Sequence, residues 1–317
     1  MMDKKELTQF IKAEALRLGF TVCGIAQAAP VDTRTAERLD KWVNEGRHGT
    51  MGYLERNCDK RTDPTLLFPG CRSIICVALN YFPGNVDEER LHISRYALGC
   101  DYHKAVKDRL FMLLQAINGK VKVNGRPFCD TAPLLERYWA ARAGIGWIGK
   151  NHQLIIPGQG THFFLGELLI DTELEYDTTL NDNRCGECRK CIDACPTNAL
   201  TSEGFDARLC LSYLTIEHRG ELPKNIGEKM GNCFYGCDRC QKCCPHNRFA
   251  TPTQVAELTP SAALLAMKES DWKELTEEKY KELFQNSAVE RCGYEQLMRN
   301  IRATKNNQTE KQTQQPA

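Results

Sequence analysis

The chain lacks any run of about 18 consecutive apolar residues, so no helix crossing a bilayer is expected. Its first residues, Met1-Met2-Asp3-Lys4-Lys5-Glu6, lead into an amphipathic pattern without the apolar core of an export signal. The expectation is a soluble cytoplasmic protein. An excess of one charge sign is also missing: 42 Lys and Arg stand against 41 Asp and Glu, a formal net charge of +1. That balance gives no global basic footprint for nucleic acid, so an RNA contact needs a local patch. Arg47, Arg56, Arg61, Arg208, His218, Arg219, Lys224 and Arg248 are its candidates, but interspersed acids favour an ordinary solvated surface. From Thr304 to Ala317 the stretch is rich in Asn, Gln, Thr and Lys and has a single alanine, Ala317, and this polar tail is expected to be disordered. No internal repeat exists beyond one paired cysteine motif.

What the chain does have is length and thiols. Its 317 residues, 42% of them apolar, suffice for about two domains. Seventeen cysteines would suit disulfides only in a short secreted scaffold; spaced clusters in a cytosolic chain more often bind metal. Over residues 1–178 helix and strand patterns alternate. Leu7, Phe10, Ile11 and Leu18 mark a first helix ending near Gly19, and Thr21–Ile25 reads as a strand. Ser73–Asn80 is an apolar run suited to a buried strand. Val106, Leu110, Leu113 and Ile117 share one helical face within Tyr102–Ile117, and Pro133–Ala143 reads as a helix. Leu154–Ile156 and Phe163–Ile170 read as strands. The pattern is that of an α/β or α+β domain. A polar stretch, Asp171–Arg184, links it to a cysteine-rich module at 179–255, followed by a helical segment at 256–303 and the tail at 304–317.

Within the module, Cys185-x-x-Cys188-x-x-Cys191-x-x-x-Cys195-Pro196 is the bacterial ferredoxin spacing. Three close thiolates hold three corners of a 4Fe–4S cube, and the fourth, before proline, ligates a second cube. Cys237-x-x-Cys240-x-x-Cys243-Cys244-Pro245 is the partner run. Cys244 precedes proline as Cys195 does, which argues that it crosses back to the first cube. The second cube then has Cys195, Cys237 and Cys240, and its last thiolate is Cys210 or Cys243. Zinc is the plainer alternative for paired Cys-x-x-Cys units, but it has no use for the Cys-Pro crossover. The remaining cysteines (23, 58, 71, 76, 100, 129, 233 and 292) are expected to be mostly small buried residues.

Longer motifs surround these runs: Ser94-Arg95-Tyr96-Ala97-Leu98-Gly99-Cys100-Asp101-Tyr102-His103-Lys104, then Asp130-Thr131-Ala132-Pro133. Ala143-Gly144-Ile145-Gly146-Trp147-Ile148-Gly149-Lys150-Asn151 follows. Cys210-Leu211-Ser212-Tyr213-Leu214-Thr215-Ile216-Glu217-His218 and Gly231-Asn232-Cys233-Phe234-Tyr235-Gly236-Cys237-Asp238 complete the set. Together, over roughly residues 5–302, they resemble epoxyqueuosine reductase, the cobalamin-dependent iron–sulfur family of tRNA queuosine synthesis. The resemblance implies an α+β protein, with an N-terminal α/β cobalamin-binding domain and a ferredoxin-like two-cluster module. It implies Cys185, Cys188, Cys191 and Cys244 on one cube, with Cys195, Cys210, Cys237 and Cys240 on the other, leaving Cys243 a bystander. It implies Asp130 as proton donor, and Arg56, Leu154, Gly160, Thr161, Leu165 and Ser212 as cobalamin contacts alongside Asp130. The polar tail stands where longer members carry helical repeats, so the chain resembles the short form. A tRNA partner, an external electron donor and a monomer are further implications.

The implied reaction turns an epoxide into an alkene, taking two electrons and two protons and releasing water. An acid must meet the oxygen as it gains charge, and a carboxyl serves if burial raises its pKa. Asp130 is the candidate; its residue type and distance from Pro133 also suit a helix cap. His103 invites comparison with an axial histidine on cobalt, but the glycine of an Asp-x-His-x-x-Gly signature is replaced by Val106, which favours a structural or surface role. Gly158-Gln159-Gly160 suits a hairpin turn as well as a cofactor cradle. Gly144–Gly149 opens no helix after a strand and fails as a dinucleotide fingerprint. Competing classes are a reductive dehalogenase, whose usual twin-arginine export signal is not visible, a plain ferredoxin-type electron carrier, and a zinc-stapled RNA-binding module.

Overall fold

The computed structural model describes residues 2–85, 89–180 and 183–313. Four strands, Val22–Gln27, Ser73–Asn80, Phe163–Ile170 and Gly125–Phe128, lie side by side in that order, and every neighbouring pair is antiparallel. The choice left open by the alternating pattern thus resolves to α+β. The two central strands end where the sequence places them, because each is an apolar run buried on both faces. Their alternate side chains feed two cores. Ile75, Val77, Leu79, Leu168 and Ile170 pack under helices Lys4–Arg17 and Tyr102–Asn118. Ile74, Cys76, Ala78 and Leu169 face the helix Glu136–Arg142 through Trp139 and Ala140. Full burial of each such side chain contributes about 1.5–3 kcal/mol. Gly166 lets the helix Tyr102–Asn118 come close: a Cβ there would stand 2.5 Å from a Val106 methyl.

A third core joins the C-terminal helices to a piece of the first half. Leu91, Ile93, Ala97 and Leu98 pack with Leu211, Phe234, Tyr235, Trp272, Phe284 and Leu297. His92–Ile93 also pairs in parallel with Cys233–Tyr235. The two halves interlock across the position-178 boundary.

Three expectations need correction. The stretch 171–180 is no loose linker: Leu174 is fully buried, and Asp177 accepts the Ile25 N–H (2.8 Å) while pairing with Lys12 (2.6 Å). The helix expected from Pro133 begins only at Glu136, with Leu135 as its uncapped start, so Asp130 is not a helix cap. Asp130 instead takes a left-handed backbone, φ 57°, and the chain needs residues 131–135 to turn before the helix opens. The last helix runs Tyr294–Thr313, through most of the tail read as disordered; residues 314–317 lie outside those described. Lys, Gln and Glu are good helix formers, and a lack of apolar residues argues against a core, not against a helix.

Candidate active site and cluster cradles

The cysteine runs fold into short turns around two separate spaces. Cys185, Cys188, Cys191 and Cys244 line one cavity of about 50 Å³, together with Lys150, Asn151 and His246. The ammonium of Lys150 donates to the carbonyls of Gly186 (2.5 Å) and Cys188 (3.1 Å), tying the first run to the Trp147–Ile155 hairpin. Elsewhere the thiol of Cys237 lies near Cys210, that of Cys240 near Cys237 and Cys210, and that of Cys210 near Cys195. Cys244 thus stands with the first run, and Cys195 on the side of Cys210. Cys243 sits beside Cys244 and Cys188, on the side of the first set. Burial would raise the Cys195 thiol, but the N–H groups of Leu200, Thr197 and Ala199 turn to its sulfur and hold its pKa below the ordinary value. Among the described residues no three His, Cys, Asp or Glu side chains converge on a point that suits one metal ion. The donor chemistry, four soft thiols around each space, fits a cube. Of the eight scattered cysteines, 71, 76, 129 and 292 are buried and the others half-buried.

A larger cavity, about 270 Å³, opens between the sheet half and the module. Asp130, Tyr102 and His103 stand on its sheet side; Cys210, Ser212, Tyr213, Glu217 and Arg291 stand opposite. The loop after strand Gly125–Phe128 brings Asp130 to the first turn of the helix Tyr102–Asn118. There the Tyr102 hydroxyl donates to Asp130 Oδ2 (2.5 Å), and His103 Nε2 stands 3.4 Å from the same oxygen. His103 Nδ1 meets Asp101 Oδ1 at 2.7 Å, so both ring nitrogens face carboxylates. Crowding by protein would raise the Asp130 carboxyl, but hydrogen bonds from His103 and Tyr102 outweigh it and hold its pKa below the usual value. The condition of a carboxyl raised by burial is thus not met at Asp130, because these neighbours outweigh burial. Burial lowers His103, but hydrogen bonds to Asp130 and Asp101 prevail and raise it. On the far wall Arg291 pairs with Glu217 at 2.9 Å.

The remaining expected cofactor contacts do not line this cavity. Gly160 and Thr161 dock the module onto the sheet: Asn247 Oδ1 accepts the Thr161 N–H at 2.7 Å, and a Cβ on Gly160 would stand 2.1 Å from that oxygen. Leu154 is buried, Leu165 packs partly into the Trp139 layer, and Arg56 is exposed. Of the basic residues considered for RNA, Arg61 is buried, Arg208 pairs with Asp206, and Arg219 binds the carbonyl of Cys292. His103, Tyr102, Glu217 and Arg291 are the site residues that sequence reasoning did not single out for catalysis. The Asp101-Tyr102-His103 run, polar residues opening a helix, was the available signal.

Two thiol sets and a cavity at their edge define a two-cluster iron–sulfur oxidoreductase. Residues 184–247 match the model of a 4Fe-4S double cluster binding domain, and residues 61–131 match that of epoxyqueuosine reductase QueG, DUF1730. The chain is 42% identical over 304 residues to an epoxyqueuosine reductase of Cellulophaga algicola, covering 95% of this chain and 99% of the relative. A crystal structure of epoxyqueuosine reductase with an epoxyqueuosine-modified tRNA stem loop superposes with a TM-score of 0.85 at 28% identity, covering 94% of this chain and 80% of that one. A Bacillus subtilis epoxyqueuosine reductase, TM-score 0.84 at 28% identity over 94% of this chain and 81% of its own, was captured with its catalytic aspartate loop swung out of the active site. The chain belongs to the epoxyqueuosine reductase family. No helix among the described residues is long and apolar enough to cross a membrane.

Proposed function

We propose that the protein reduces epoxyqueuosine to queuosine at the wobble position of tRNA, using cobalamin and two 4Fe–4S clusters fed by an external donor. The observation that carries this reading is the single cavity with Asp130 on one wall and Cys210, a thiol of the second set, on the other. Tyr96, Tyr102, Tyr213 and Tyr235 give that space aromatic walls and Ser212 a polar point, a composition that suits a flat, largely apolar macrocycle. Both nitrogens of His103 face carboxylates, which favours cobalamin held without an axial histidine. When bound, cobalamin supplies a strongly nucleophilic, reducing cobalt, and the cubes supply electrons singly.

The chain's own part is to place protons and exclude water. Two electrons and two protons convert the epoxide to an alkene and release water. Asp130 is the group that meets the epoxide oxygen as charge develops on it. Its pKa is lowered and that of His103 raised, and His103 Nε2 stands 3.4 Å from its Oδ2, placed to hand on a proton to the carboxyl. Tyr102 holds the same oxygen and fixes the carboxyl's direction. The test is anaerobic incubation with epoxyqueuosine-bearing tRNA, cobalamin and a reductant, followed by nucleoside mass analysis. Loss of one oxygen mass is expected; an unchanged nucleoside from protein loaded with both cofactors contradicts the reading.

A further inference from the structure

Behind Asp130 lies a pair of acids that the reaction does not use. Glu167 sits mid-strand in Phe163–Ile170, opposite Cys76 on one neighbour and Phe128 on the other, and is 0% exposed. Neither of its carboxyl oxygens finds a donor among the described groups. Its polar neighbour is another carboxyl, that of Glu136. Glu136 in turn accepts the backbone N–H of Asp130, the residue held at φ 57°. Two carboxylates in contact inside an apolar layer cannot both stay ionised, and two orphaned buried oxygens are costly. A single proton between them removes both problems.

We propose that Glu136 and Glu167 share one proton and together form a latch, a pair of positioning residues that grips the Asp130 N–H and keeps its carboxyl turned into the cavity. A left-handed aspartate costs free energy unless its surroundings hold it, and the hydrogen bond to Glu136 is what holds it here. The groups facing the pair agree with one retained proton. Burial and the charge of Asp130 disfavour a second negative charge on the pair, while the thiols of Cys129 and Cys76 beside it stay neutral. Arg137 is the cation adjoining Glu136, but its guanidinium donates to the His152 carbonyl; Lys107 reaches only as far as Cys129 and Thr131. Burial, then Asp130, pushes the Glu136 carboxyl up to about 8. The latch is therefore closed at neutral pH; loss of the shared proton sets two like charges in contact and drives Glu136 from its place, against the stronger pull of a charged Glu136 on the Asp130 N–H. Its existence is independent of the proposed reaction; only its consequence for turnover rests on that reading.

The test uses the full chain and needs no substrate. In wild type at neutral pH, the infrared spectrum shows the carbonyl stretch of a protonated carboxyl, and Glu167→Gln abolishes it. Amide hydrogen exchange of the peptide containing Asp130, corrected for intrinsic rate, is slow in wild type and faster by roughly tenfold or more in Glu136→Leu. In wild type that protection falls as pH passes about 8. In Glu167→Gln, whose amide donates permanently, protection persists across the same range. No protonated-carboxyl band in wild type, or a band that survives Glu167→Gln, overturns the shared proton. Unchanged exchange in folded Glu136→Leu overturns the latch. Should that variant fail to fold, the nearly isosteric Glu167→Gln decides: its protection must become independent of pH, and a wild-type pH profile contradicts the proposal. These readouts stand whether or not the protein turns over tRNA.

Discussion

The sheet wall of the main cavity and the first cysteine run are held in place by different means. The sheet wall rests on interior apolar packing: the strand Ser73–Asn80 is buried along nearly its whole length, and two cores press on its faces. The first cysteine run, which lines the smaller cavity, has little of this, whereas the far wall of the main cavity, Leu211–Ile216, sits in the third core. Between Arg184 and Asn198 only Cys191 is buried, and order comes from turns, from Lys150 gripping two carbonyls and from Asn247 and Gln241 stitched to Thr161. A wall of the first kind keeps its shape without a ligand, whereas the cysteine run depends on what its thiols bind. Asp130 belongs to the self-supporting side and the first thiol set to the dependent side.

That contrast can be broken or sharpened by substitution. Asp130→Asn should cost about 10²–10⁴-fold in turnover while leaving iron, sulfide and bound corrin unchanged, since it alters proton transfer and not packing. Normal turnover in that variant would remove Asp130 from the chemistry. Cys210→Ser should lose one cluster of the two, halve the iron content and loosen the module to proteolysis, with the sheet half still resistant. Cys243→Ser should keep both clusters; loss of one would reassign the ligand. On the sheet wall Ile75→Ala should cost about 2–5 kcal/mol in unfolding of the sheet half, measured by denaturant titration, without changing iron content. The smallest effect concerns pH. Burial and Asp130 raise Glu136 from its ordinary 4.5 to about 8, so across that window the folded chain binds more protons than the unfolded one. Stability should fall as pH rises through it, and Glu136→Gln should flatten the profile.

The same contrast explains what could be read from the sequence. Cluster ligands lie within a few residues of one another along short turns, so spacing alone outlines both sets, and the family resemblance separates Cys210 from Cys243. The central strands are visible as apolar runs, one of them interrupted by Glu167. The main cavity is not local: Asp130 meets His103 and Tyr102 only because the loop after Gly125–Phe128 folds over a helix start nearly thirty residues earlier in the chain. A reading of burial alone therefore leaves out the neighbours that outweigh it at Asp130. Glu167 did leave a trace, as an acid inside an otherwise apolar strand, but nothing in the sequence shows that its neighbour is a second acid. Gly160 and Thr161, expected at the cofactor, serve to dock the module because Asn247 reaches them across the interface.

The central claim is that the main cavity is where the cofactor and substrate meet. Equilibrium dialysis of cobalamin against anaerobically reconstituted protein tests it directly, comparing wild type with Ser212→Trp, which fills the cavity while leaving all eight thiols in place. The account predicts retention near one cobalamin per chain in wild type and little in the variant; no retention in wild type, or equal retention in both, would contradict it.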